Sequence, residues 1–391
     1  MVGAGVGGLT CAIALRDAGF DVEVVERAAN LAEVGAGISL WPNALAALAE
    51  VGLEEPVRTV GQELATGNVR NRSGQMVNVW SREQTRSYLG GTPVMMHRAD
   101  LQRVLLDAAE GIPISLDTPC RDVSQDAGLV TVLLGDGTKR PADLVVGADG
   151  LRSAVRAAVA PGRPRFVGLA AWRAVISGVK PPTESWLSVG EGKQFLAAPL
   201  SHERTYVSGL LSMDEGAMNK EVMVGPFLAQ LFRGWHEPIE RLIAATPEDA
   251  YIRTDIYDRP RPARLCWGRV ALIGDAAHPV TPDLGQGGCL AIEDAVVLSR
   301  CLQRTNGVPL ALKDFEERRL SRIRMISFES HWTGRFFAAN SPLTSALRTA
   351  ALSAVPGRIR LGHLARYASR DAFLRTLPTG TNPTTARQPE D

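Results

Sequence analysis

Two carboxylates, each ending an apolar run and followed by a loop and a helical pattern, are the residues of this chain best placed to do chemistry. Asp275 follows Val270 to Ile273 and Gly274, and Asp149 follows Ala142 to Ala148. A short apolar run reads as a buried strand, so each acid is delivered to a fixed point. After Asp275 come Pro279, Pro282, Gly285, Gln286, Gly287, Gly288 and Cys289, ahead of an Ala/Val/Leu-rich helical pattern. Glycines let backbone approach a ligand closely, and a helix start offers unpaired N–H groups to a negative or electron-rich group. Glu293 and Asp294 fall in the first turns of that helix and are expected to serve its dipole. His278 is expected to order the loop, and no residue is assigned as catalytic acid or base.

A third acid comes with its whole positioning unit. Gly3, Gly5 and Gly8 match Gly-x-Gly-x-x-Gly, a helical pattern runs from Leu9 to Ala18, and a strand from Asp21 to Val25 stops at Glu26-Arg27. This is the order of a dinucleotide-binding βαβ unit: the glycines admit a pyrophosphate and Glu26 can bond both ribose hydroxyls. An acid there suits the unphosphorylated ribose of FAD or NAD. Only Met1 and Val2 precede Gly3, against about five residues in an ordinary strand, so the strand is expected to begin upstream of Met1.

The remaining elements must hold these three acids. A second glycine-rich turn from Val34 through Gly37 and Ser39 leads to a helix opening at Pro42. Strands are expected between Leu64 and Trp80, a helix from Arg98 through Gln102, and a hairpin punctuated at Asp126 and Gly135. Asp100 and Asp107 are expected to face Arg98 and Arg103. From Ala171 to Met213 four strands make an antiparallel meander, with one helix, Phe227 to Thr246, packed on it. Phe315 to Phe337 reads as a long helix and Leu343 to Leu377 as a solvated outer one.

Composition narrows the function classes. The chain has 391 residues, 45% apolar and 22% charged, with a formal net charge of +1. That balance gives no electrostatic case for nucleic acid. Five scattered cysteines form no Cys-x-x-Cys pair, so no metal site is expected and a reducing, cytoplasmic location is. Neither a signal peptide nor a transmembrane run is read. The expected partner is a small-molecule substrate, and the sequence leaves the oligomeric state open.

Three motifs together resemble the single-component, class A flavoprotein monooxygenases, which have a para-hydroxybenzoate-hydroxylase-like fold. They are Gly3-x-Gly5-x-x-Gly8 with Glu26, Asp149-Gly150-x-x-Ser153-x-Val155-Arg156, and Gly274-Asp275 with Pro282 and Gly285-Gln286-Gly287-Gly288. The resemblance implies FAD as cofactor, NADH or NADPH as electron donor and O2 as co-substrate. A C4a-hydroperoxyflavin would then pass one oxygen to an apolar or aromatic substrate, hydroxylation being the expected outcome. It also implies roles for particular residues. Asp275 would bond the ribityl chain, Arg98 and Gln102 would contact FAD, and Cys120 would meet the adenine through its backbone. Asp149 would serve both nucleotides, and Arg27, Gly37 and Ser39 would join the cofactor site. Gly285 to Cys289 would cradle the pyrimidine edge of the flavin, and Pro282 would border the oxygen-transfer site.

The resemblance is nearest to the branch of salicylate hydroxylases, FAD-dependent urate hydroxylases and zeaxanthin epoxidases. Gln194 stands where the urate enzymes carry an arginine, and a neutral amide cannot supply that charge, which demotes urate. An epoxidase or Baeyer-Villiger-type oxygenase and a non-catalytic flavin-binding protein are the alternatives. A halogenase is disfavoured, because its Trp-x-Trp-x-Ile-Pro signature is missing. The substrate is expected to meet Trp172, Gln194, Phe195, Ala198 and Tyr206, with Leu196 and Leu210. The implied fold is α/β, a Rossmann-like FAD-binding lobe interleaved with a mainly antiparallel β-sheet substrate lobe, plus C-terminal helices. Residues 1–65, 95–168 and 265–340 are assigned to the first lobe, and 66–94 and 169–264 to the second. Residues 341–377 are assigned to a helical region and 378–391 to a disordered tail.

Overall fold

A parallel sheet carries the three acids. Its strands Val24–Val25 and Val145–Gly147 flank Val2, which bridges Val25 on one side and Gly147 on the other, and Val270–Leu272 pairs with Val145–Gly147 beyond. The Val2 N–H donates to the Val146 carbonyl at 2.9 Å and the Gly3 N–H to that of Val25 at 2.8 Å. All four chains therefore run the same way, and Glu26, Asp149 and Asp275 emerge together at the carboxyl edge, where ligands of open α/β sheets sit. The structure, a computed structural model, describes residues 1–31, 36–64, 66–126, 128–217, 223–338, 341, 344, 350–352 and 354–378. The expected tail past Pro378 and the Val34-Gly35 part of the second glycine turn lie outside the described residues.

Helices Val6–Asp17 and Gly287–Arg304 pack against this sheet, and their apolar faces merge with it into the larger hydrophobic core. Gly8 explains part of that closeness: a side chain there would run into the Gly3 carbonyl, so only glycine lets the helix settle on the turn.

The second large element is a seven-stranded sheet. Its spatial order is Ile252–Asp258, Arg165–Ile176, Arg204–Ser212, Lys193–Leu200, Ser185–Gly190, Gly67–Asn71 and Met76–Trp80. Neighbours are antiparallel except for Ser185–Gly190 against Gly67–Asn71. One face is covered by helices Val224–Leu231 and Ile239–Ala244 over an aromatic core of Trp172, Trp186, Phe195, Phe232 and Trp235. The single helix expected over Phe227 to Thr246 is thus two. Gly234, at a φ of 73°, and Pro238 break it, one by turning left-handed and the other by withholding an N–H.

Helix Val308–Ala338 is longer than expected, and Gly357–Ala368 is not merely solvated, since Leu361, Tyr367 and Ala368 are buried. Glu293 and Asp294 also depart from expectation. They are fully buried and meet Arg319 and Arg322 of the long helix at 2.6–2.7 Å, which makes them an internal ion-pair cluster. Asp100 pairs with Arg204 at 2.6 Å, across the lobes, instead of with Arg98 on its own helix. Among the described residues, no helix is long and apolar enough to cross a membrane.

Candidate active site

The carboxyl edge of the parallel sheet and the uncovered face of the seven-stranded sheet enclose one cavity of about 1150 Å3. Two helices begin at its wall without a side-chain cap and without an acid in the first turn, Val6–Asp17 after Gly5 and Gly287–Arg304 after Gln286. Uncapped first-turn N–H groups are strong donors with a partial positive charge behind them, so both starts are fitted to phosphate or to an anionic ring edge. Nothing lies within 4 Å of where a Gly5 side chain would be, so a ligand can reach the backbone there.

Glu26 is held by the first glycine turn and by its own. Its carboxylate accepts from the Ala4 N–H at 2.7 Å and from the Ala28 N–H at 2.9 Å, on the cavity wall beside Arg27. Asp149 accepts the Ala154 and Val155 N–H groups on Oδ2, while its buried Oδ1 has no protein partner. Burial pushes this carboxyl up, and those N–H bonds and Ser153 only partly oppose it. Arg156, of the same motif, donates to the carbonyls of Ala276 and Ala277 at 3.1 and 3.0 Å and so clamps the Gly-Asp loop. The second and third motifs are one mechanical unit. Asp275 is exposed on the cavity wall, and the desolvating protein around it pushes its carboxyl up, opposed by the charges of His278 and Arg98.

Of the other expected cofactor residues, Gly3, Gly37, Ser39, Arg98 and Cys120 line the cavity, as do Pro282, Gly285, Gly287 and Gly288. Four do not. Gly8 serves packing. Gln102 turns back to donate to the Ala4 carbonyl at 2.7 Å, bracing the first glycine turn from behind. Gln286 is fully buried and accepts from Asn43 at 2.9 Å. The Cys289 thiol, which burial pushes up to about 12, lies against the Ser39 and Gly285 carbonyls. These last two fix the shape of the loop from inside: they are three residues apart at a helix start, so they share a face, and that face is turned to the core.

Gln194, Ala198 and Tyr206 line the cavity, with Leu196 and Leu210. Trp172 and Phe195 are corrections. They are 1% and 2% exposed and belong to the aromatic core on the opposite face. The cause is the two-residue period of a strand: with Ala171, Arg173, Gln194 and Leu196 facing the cavity, the residues between them must face away.

Sequence reasoning missed Asp283. It lines the cavity, Gln194 Nε2 donates to its Oδ1 at 3.2 Å, and its buried Oδ2 has no protein partner. Burial pushes its carboxyl up, with Thr281 and Gln194 opposing. Its place one residue after Pro282 was the available signal. Trp41 Nε1 is likewise buried without a partner on this wall. Behind the loop, His278 Nε2 lies 2.5 Å from Asp294 Oδ2, both buried and off the cavity wall.

Residues 1–326 match the family described as FAD binding domain. One relative is an aurachin C monooxygenase/isomerase from Stigmatella aurantiaca, 39% identical over 328 residues that cover 82% of this chain and 85% of the relative. Another is an FAD-dependent urate hydroxylase from Klebsiella pneumoniae, 36% identical over 330 residues covering 83% and 86%. The crystal structure of Klebsiella pneumoniae HpxO complexed with FAD and uric acid is similar at a TM-score of 0.86 and 31% identity, covering 96% of each chain. The donor groups fit the group that this likeness implies, with two uncapped helix starts for a diphosphate and a ring edge and an acid each for two polyol segments. The chain belongs to the FAD-binding domain family and is a class A, FAD-dependent monooxygenase.

Proposed function

We propose that the protein takes electrons from NADH or NADPH and one oxygen atom from O2 to hydroxylate a small, largely apolar aromatic substrate. The substrate would lie on the open sheet face beside Gln194 and Asp283. The observation that carries this reading is the cavity itself: at about 1150 Å3 it exceeds the roughly 300–1,000 Å3 of an ordinary small-molecule site, so a dinucleotide leaves room for a second molecule.

In this reading Glu26 holds the adenosine ribose, the helix start after Gly5 the diphosphate, and Asp275 the ribityl chain. The helix start at Gly287 and Gly288 favours negative charge on the ring edge. When bound, FAD supplies the reduction and the activation of oxygen. The chain's own tasks are to place the substrate and keep water away from it. Leu196, Leu210 and Tyr206 form an apolar floor beside Arg173, and Gln194 with Asp283 offers a neutral amide and a half-buried carboxyl. Such a pair suits a phenolic or amide-like substituent better than an anionic purine. Dependence on a pyridine nucleotide points to the cytoplasm.

Purified holoprotein assayed with a panel of phenols and N-heteroaromatics should oxidise NADH or NADPH faster in the presence of a substrate. With labelled O2 it should yield a product carrying one labelled hydroxyl. Yellow protein that no aromatic stimulates would sink the reading, and a labelled epoxide or lactone would replace hydroxylation by a sister reaction.

A further inference from the structure

The cavity is wider than a single ring requires, and its extra width lies in one direction. Pairing across the seven-stranded sheet puts Ser208 beside Leu196, Leu196 beside Leu187, and Leu187 beside Val69, while Gly67 pairs with Trp80 on the edge strand. Ser208, Leu196, Leu187, Val69 and Trp80 all line the same cavity. From the strand of Gln194 to that of Trp80 is three strand spacings, about 14 Å, or on the order of ten methylene carbons in an extended chain.

The two ends of this floor differ in chemistry. Arg173, Gln194 and Asp283 stand at the flavin side. Past Leu196 the wall holds no charged side chain among the described residues: Leu187, Val69 and Trp80 form the floor, and Leu64, Pro93 and Leu364 are also on the wall. Leu364 comes from helix Gly357–Ala368, which lies against the edge strand, with Arg360 donating to the Val77 carbonyl at 3.4 Å. A C-terminal helix thus closes the arm at the end remote from the flavin. Gly67 keeps the floor low there, because any side chain would strike the Trp80 indole, 2.5 Å from where its Cβ would be.

We infer that the substrate is an aromatic nucleus bearing a long, linear apolar substituent, with the ring at Gln194 and Asp283 and the chain running along Leu196, Leu187 and Val69 towards Trp80. The inference rests on the hydroxylase reading for the placement of the ring. Its energetic content is the burial of methylenes, each worth about 0.8 kcal/mol, or roughly fourfold in affinity.

The test is a series of 4-alkylphenols from methyl to dodecyl, titrated into FAD-loaded protein and followed by perturbation of the flavin absorbance, which needs no turnover. NAD(P)H oxidation is measured in parallel. Affinity should rise about two- to fourfold per methylene and level off near ten carbons. Val69→Phe, with its flavin content checked as a measure of folding, should bring the plateau to shorter chains, and Leu187→Phe provides the same block from the neighbouring strand. Affinity that is flat or falls with chain length, in phenols that do stimulate NAD(P)H oxidation, overturns the arm and leaves the hydroxylase reading standing. Affinity that rises with chain length without oxidation supports the arm and overturns the hydroxylase reading. A plateau unmoved in either folded variant overturns the placement of the chain.

Discussion

The two faces of the seven-stranded sheet are built from the same strands and have opposite fates. On one, Trp172, Trp186 and Phe195 lock against Phe232 and Trp235 beneath two short helices, with ring centroids of Phe195 and Phe232 5.2 Å apart. On the other, Gln194, Leu196 and Leu210 look into open space. The difference teaches that bulk is not a guide to substrate contact. Trp172 and Phe195 hold the sheet together, and the residues that alternate with them are left to meet the ligand.

Substitutions that separate the faces test this directly. Phe195→Ala should cost about 3–5 kcal/mol in chemical denaturation, since it empties a filled aromatic core, while FAD affinity of the folded fraction stays unchanged. A loss of affinity matching the loss of stability would break the distinction. On the cavity side, Asp275→Ala should barely change apoprotein stability but weaken FAD about ten- to a hundredfold by fluorescence titration, the size of a lost charge-assisted hydrogen bond of about 1.5–3 kcal/mol.

Acid separates packed from open carboxyls as well. Burial alone would raise Asp294, but His278 and Arg319 hold it down to about 2, below its ordinary 3.8. A depressed carboxyl stabilises the fold fully above its unfolded pKa, and that contribution disappears as pH falls through the folded value. The stability gap between the parent and Asp294→Asn should therefore narrow by about 2 kcal/mol between roughly pH 5 and pH 2. Asp149 has the opposite sign: burial raises it, so ionising it costs apoprotein stability as pH rises. The smallest effect belongs to Gln194→Leu. It should lower kcat/KM for the aromatic substrate about tenfold, or about 1.4 kcal/mol, and leave thermal unfolding within a degree or two.

Much of the site was legible because its determinants are local. A glycine in a tight turn, an acid at a strand end and a helix without a cap are each written in a few consecutive residues, which is why Gly3, Gly5, Glu26, Asp149 and Asp275 could be named in advance. Gln194 and Asp283 are separated by 89 positions. No local pattern announces that a strand residue and a loop residue will share a hydrogen bond. Glu293 and Asp294 misled for the same reason: near a helix start an acid serves the dipole when solvated, and only the arrival of Arg319 and Arg322 made them internal.

By itself the sequence determined the order of most elements and the three acids at strand ends, because these depend on residue type at short spacing. Tertiary structure alone decided which face of each strand is wet, which polar atoms are left unpartnered, and how far the cavity extends past the ring. Those follow from pairing register and from what packs opposite, and both are set by residues tens to hundreds of positions away.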